Sequence, residues 1–152
     1  MDMPWLRRGL GLGLAALLWA ACAPAPSATP TPTAAAPRPL STALADLEAE
    51  FQALPAGDGE AGRQAFTSSG CSACHALEPE KRIVGPSLAE VGAQAAEREA
   101  GLSAELYLYK SITRPDAFVL TGYTPGLMPA AFLDTLPPQT LADLIAFLLS
   151  LR

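Results

Sequence analysis

The sequence holds one histidine, three cysteines and three methionines in 152 residues, and that scarcity excludes several chemistries. A structural zinc site needs four ligands in a tetrahedral array. Cys71, Cys74 and His75 lie together, but His75 directly follows Cys74 and the sole other cysteine is the distant Cys22, so zinc runs out of ligands. No β-branched strand precedes the Cys71 to Cys74 pair, so the βαβ context of a thioredoxin-like redox motif is missing. Basic residues are not in excess: Lys and Arg number 10 against 15 Asp and Glu, for a net charge of -5. With no phosphate-binding glycine motif either, nucleic acid is not a partner. The opening apolar run, Gly9 to Ala21, falls short of the ~20 residues a membrane-spanning helix needs.

What is present is concentrated in "GCSACHALEPEKRIVGP", which begins at Gly70. C-x-x-C-H is the spacing of covalent haem attachment, with both thiols bonded to the porphyrin vinyl groups and the histidine binding iron. An incidental disulfide between Cys71 and Cys74 is the competing reading. The motif occurs once and no internal repeat is visible, which argues against a multihaem array. With no second histidine, bis-histidine ligation within one molecule is excluded. The remaining usual ligand is methionine. Met1 and Met3 lie in the opening segment, which leaves Met128 in the Gly/Pro-rich "TGYTPGLMPAAF". That stretch has no helical or strand period, so methionine as flexible core filler lacks its usual context. A five-coordinate iron, or an unusual lysine or tyrosine ligand, stays open as the alternative.

The chain divides by composition. Residues 1–22, "MDMPWLRRGLGLGLAALLWAAC", combine Arg7 and Arg8 with an apolar run and then a cysteine, the anatomy of an export signal. Ala20 and Ala21 before Cys22 resemble a bacterial lipoprotein signal, in which the cysteine becomes a lipidated N-terminus, although Trp19 stands where leucine is usual. An uncleaved signal anchor and plain secretion are the other two readings. All three place the remainder of the chain on the extracytoplasmic face of a bacterial membrane or in the periplasm. Residues 23–40 are a Pro/Ala/Thr-rich linker whose seventeen residues Ala23 to Pro39 reach ~50 Å as polyproline II. Residues 41–55 form an accessory amphipathic helix with Leu44, Leu47, Phe51 and Leu54 on one face and Ser41 or Thr42 as N-cap.

Residues 56–152 are expected to be all-α. Asp58 caps a helix through "GEAGRQAF", with Glu60 in the first turn where the helix dipole favours an acid. A second helix starts near Ser103 in "LSAELYLYKSI" and stops before Pro115. The last has Pro138 in its first turn and Leu141, Leu144, Ile145, Leu148 and Leu149 on one apolar face. So small a domain buries limited apolar area, and haem supplies the missing surface. Without haem the domain is expected to be largely unstructured.

These segments together resemble class I cytochromes c over nearly all of Ala56 to Arg152. "GDGEAGRQAF" is similar to that family's N-terminal helix, with Gly62 and Phe66 meeting Leu144 and Phe147 of "DLIAFLLSL". "VGPSL" resembles the segment in which the Pro86 carbonyl accepts the Nδ1 proton of His75, which fixes the ring and strengthens its donation to iron. "SITRPDAFVLTGYTPGLMP" is similar to the stretch leading to the methionine ligand in bacterial carriers and in domains fused to oxidase subunit II. The resemblance implies a small fold of three to five helices around one covalent haem c, ligated by His75 and Met128.

A six-coordinate haem without an open site exchanges single electrons and is not an enzyme. The implied role is a membrane-tethered electron carrier between respiratory redox partners, among them a terminal oxidase or dehydrogenase. A fixed haem subunit of a larger redox enzyme is the first rival, and a sensor or peroxidase with an open sixth position is the second. Tyr123 is read as either a propionate contact or a packing residue, Lys81 and Arg82 as solvated surface charges in preference to propionate contacts, and Tyr107 and Tyr109 as packing residues. Gly85, Gly122 and Gly126 are assigned to loop geometry. From Ala56 onward seven basic residues (Arg63, Lys81, Arg82, Arg98, Lys110, Arg114, Arg152) face eleven acidic ones. Ser72, Ala73, Ala130 and Ala131 beside the presumed haem edge are small and uncharged, which predicts a mainly apolar docking patch with weak steering.

Overall fold

Helix α1 occupies Leu40–Gln52, α2 Gly59–Ser68, α3 Val91–Arg98, α4 Ala104–Thr113, α5 Phe132–Thr135 and α6 Pro138–Ser150. The structure is a computed structural model that describes residues 40–152. Among the described residues there are six α-helices, two one-turn 3-10 helices at Cys71–Ala73 and Pro115–Ala117, and no strand. The all-α expectation holds, and the five helices after residue 56 fall within the range of three to five. The export-type segment with Cys22 and residues 23–39 of the linker lie outside the described residues, while Leu40, assigned to the linker, opens α1.

The local signals act where the sequence placed them. Asp58 accepts hydrogen bonds from the backbone N–H groups of Glu60 and Ala61 at 2.8 and 2.9 Å, satisfying two donors that α2 cannot pair internally. The Ser103 hydroxyl accepts from Leu106 N–H at 3.3 Å and opens α4, which ends two residues before Pro115. Pro138 is the first residue of α6, where its missing N–H costs nothing. Ser41 and Thr42 are not caps as expected: α1 already begins at Leu40, so both fall inside its first turn.

The centre of the fold is the crossing of α2 on α6. A Cβ on Gly62 would stand 1.9 Å from the Asp143 carbonyl oxygen and 2.8 Å from Phe147 Cβ, so the backbones approach to a distance only glycine permits. Phe66 and Phe147 fill the space beside it with ring centroids 5.7 Å apart and planes tilted by 57°, a geometry that aromatic quadrupoles favour. Leu144 is 1% exposed at this crossing. Asp143, also buried, accepts from Asp58 N–H and from Gln139 Nε2, both at 2.8 Å, so the start of α2 is tied to α6 by a satisfied carboxylate.

Helices α3 and α5 were not expected from the sequence. Helix α3 buries only Val91 and Ala95, and so small an apolar face gives a weak periodic signal. Helix α5 is four residues long, too short for one. Helix α1 packs its C-terminal half on α4: Leu47 is buried, and the Phe51 ring lies 5.9 Å from that of Tyr109. Glu50 accepts from the Tyr109 hydroxyl at 3.1 Å and from Arg114 at 2.5 Å. Leu44, assigned to the same buried face, is 37% exposed, because the seam covers the Leu47 to Phe51 end of the helix. Burial, and then the nearby Glu50 charge, push the Tyr109 phenol above its ordinary range. Tyr107 and Tyr109 are both buried, in keeping with packing roles.

Candidate functional site

A cavity of about 460 Å³ opens between α2, α4, α6 and the connecting loops. The C-x-x-C-H segment forms one wall. Cys71–Ala73 is a single 3-10 turn, a geometry in which side chains three apart eclipse, so the spacing of Cys71 and Cys74 puts both thiols on one side. Cys74 N–H and His75 N–H both donate to the Cys71 carbonyl, at 3.1 and 3.0 Å, which fixes the histidine backbone to the same turn. Both thiols are free and line the cavity. Burial raises the Cys71 pKa and keeps it as the neutral thiol.

The chain then folds back on this turn. Gly85 N–H donates to the Cys74 carbonyl at 2.9 Å, bringing the next residue, Pro86, beside the imidazole. The Pro86 carbonyl lies 2.9 Å from His75 Nδ1. A carbonyl oxygen only accepts, so Nδ1 is the donor, and in the neutral ring Nε2 is the nitrogen with the lone pair. A Cβ on Gly85 would sit 2.4 Å from His75 Cε1 and 2.7 Å from Nδ1. The expectation that Gly85 serves loop geometry therefore needs correction: its φ is not in the left-handed region, and what requires glycine is the imidazole lying flat against the backbone.

A second wall includes residues of the segment from Phe118 to Met128. Met128 lines the cavity and is half-buried. Tyr123 lines it as well, and the Arg82 guanidinium carbon stands 4.1 Å from the centre of its ring. Arg82 Nη2 also donates to the Gly122 carbonyl at 2.5 Å. From the far side, Asp116 Oδ1 accepts from Gly126 N–H at 2.7 Å. Gly122 and Gly126 have φ of 88° and 77°, so the loop-geometry reading of these two stands. Lys81 pairs with Glu78 at the surface at 2.9 Å, as expected. Arg82 is exposed, as read for a surface charge, but its guanidinium also engages Gly122 and Tyr123, and no signal in the sequence joins it to a carbonyl forty positions on.

The structure thus brings Cys71, Cys74, His75, Pro86, Tyr123 and Met128 to one cavity. Apolar side chains such as Leu108, Ile112, Leu144 and Leu148 make up much of its remaining lining. Two thiols on one turn, an imidazole with a fixed tautomer and an apolar recess fit a covalently attached porphyrin, and the cavity size lies in the range of small-molecule sites. Fold and site together define an all-helical haem-attachment protein.

Comparison with protein families matches Cytochrome c over residues 59–152, more than half of the chain, and the protein belongs to that family. Its cofactor is covalently attached haem c, its general activity is haem-based electron transfer, and its partners are redox proteins. No curated protein matches the chain. No described helix is long and apolar enough to cross a membrane.

Proposed function

We propose that this protein is an extracytoplasmic monohaem cytochrome c, tethered to the membrane through residues 1–22 and the 23–40 linker, that carries single electrons between respiratory redox partners. The observation that carries the reading is the convergence of the C-x-x-C-H turn and Met128 on one apolar cavity. When bound, the haem supplies a one-electron Fe(III)/Fe(II) couple. Cys71 and Cys74 supply the two thiols that attach it. His75, its Nδ1 proton held by Pro86, offers Nε2 to the iron, and the bond to Pro86 strengthens that donation. Met128 offers a soft thioether that favours the reduced metal and raises the potential. The apolar walls would keep water from the bound haem, and His75 and Met128 would hold its iron in both oxidation states, which would keep reorganisation small. Cys22 is the proposed lipidation site, and Tyr123 a propionate contact.

The test is the optical spectrum of haem-loaded protein in both oxidation states, wild type against Met128→Ala. The expected result is a low-spin wild type with a near-red sulfur-to-iron band that the variant lacks. An unchanged variant, or a high-spin wild type, removes Met128 as ligand, and rapid carbon monoxide binding to the reduced wild type would turn the reading to a sensor or peroxidase.

The docking patch extends beyond the four small residues expected from the sequence. Ser72, Ala73, Ala130 and Ala131 are exposed, and so are Val84 and Leu127 on the cavity itself, with Leu127 55% exposed. An apolar patch of this kind relies little on charge steering. The rate of electron transfer to a respiratory acceptor is expected to change little with added salt, and a steep fall would show that charge guides the encounter.

A further inference from the structure

We propose that Arg82 is a positioning residue, a latch that joins the loop carrying the imidazole's orienting carbonyl to the loop carrying Met128, and so holds the thioether on the iron. The proposal rests on Met128 being the axial ligand. Its observation is the double engagement of one side chain. The edge of the guanidinium donates to the Gly122 carbonyl at 2.5 Å, while its face covers the Tyr123 ring at 4.1 Å. A planar, delocalised cation can do both at once, whereas the point charge of lysine cannot.

The position of the latch gives it consequence. Arg82 stands two residues before Val84 and four before Pro86, in a segment pinned to the haem-attachment turn by the bonds of Val84 and Gly85 to the Cys74 carbonyl at 3.3 and 2.9 Å. Its targets, Gly122 and Tyr123, stand six and five positions before Met128. On the other side of the loop Asp116 holds Gly126. The segment from Phe118 to Ala131 contains no helix of its own, and its two left-handed glycines leave it free to rearrange. Release of Met128 requires this loop to swing away, and the latch opposes the swing without touching the metal.

The experiment measures imidazole binding to the oxidised haem protein, a reaction that requires Met128 to leave first, together with the sulfur-to-iron band on heating. Arg82→Gln is expected to raise the imidazole entry rate by about two- to fivefold, the scale of losing one exposed cation–π contact. The band should be lost at a lower temperature while the global helix melting point stays in place. Arg82→Lys is expected to behave like Arg82→Gln, and the control Lys81→Gln like wild type. In the double variant Arg82→Gln, Tyr123→Leu the entry rate should exceed that of either single variant by little, because the two residues act as a unit. Wild-type entry in Arg82→Gln overturns the latch. So does an Arg82→Lys protein with wild-type entry and only Arg82→Gln altered in reduction potential, since charge alone would then explain the residue. If the wild type lacks the sulfur-to-iron band, the ligand reading and the latch fall together. A wild-type band with unaltered Arg82→Gln removes the latch alone.

Discussion

The two walls of the cavity are built on different principles. On the histidine side the segment from Gly70 to Pro86 closes on itself: backbone bonds to Cys71 and Cys74 and the 2.9 Å contact of His75 with Pro86 all lie within seventeen residues. On the methionine side the loop is held from outside, by Arg82 and Asp116 reaching Gly122 and Gly126. The first wall is steric and local, so its geometry is over-determined. The second hangs on exposed polar contacts, which are individually worth little. The difference teaches that the histidine wall is built in with the attachment motif, while the methionine wall is positioned by the assembled fold. One wall is therefore fixed by the attachment turn itself, while the Met128 loop depends on contacts made by the closed fold.

The largest effect should come from removing what both walls share. Cys71→Ala with Cys74→Ala prevents attachment, and a domain this small is then expected to lose most of its helical circular dichroism and its cooperative melting. A sharp helix-rich transition in that protein would show that the α2–α6 crossing suffices alone. Next come single methyl groups that separate the walls. Gly85→Ala drives a Cβ into the imidazole, is expected to cost about 2 kcal/mol, and should perturb the low-spin spectrum. Gly126→Ala meets nothing within 4 Å and strains only its φ of 77°, for about 1 kcal/mol. Equal losses in denaturant titrations of the two would contradict the contrast.

The smallest effect lies away from the cavity, where α1 meets α4. The Tyr109 phenol is raised from its ordinary value of 10.0 by burial and by Glu50. A raised folded pKa means that the native state keeps a proton the unfolded chain gives up. The contribution is therefore complete below pH about 10 and is lost as pH climbs through the folded value. Tyr109→Phe is expected to flatten that alkaline decline in urea midpoints. Glu50→Gln, which weakens a half-exposed pair with Arg114, should cost about 0.5 kcal/mol at neutral pH.

Legibility in the sequence followed the range of the interaction. The C-x-x-C-H turn, the Asp58 and Ser103 caps and the start of α6 at Pro138 depend on neighbours a few residues apart, and they stand where the residues placed them. Pro86 and the contact of Gly62 with α6 were legible through family resemblance, since nothing in a lone glycine says which helix it will meet. Helix α3 was missed because Ala95, though fully buried, carries so little apolar surface that its period is faint. The contacts of Arg82 were not legible because an arginine between Lys81 and Ile83 has the composition of a solvated loop.

The sequence by itself determined the cofactor chemistry. Two thiols and a histidine at C-x-x-C-H spacing carry the haem-attachment pattern, and one histidine per chain rules out a second histidine ligand from the same molecule. Only the tertiary structure decided how the methionine wall is held, which glycine gives way to the imidazole, and that α1 docks through Glu50 on Tyr109 and Arg114. Those outcomes depend on backbones and charges that meet after the core has closed, and the helical period carries no record of a contact between residues forty or sixty positions apart.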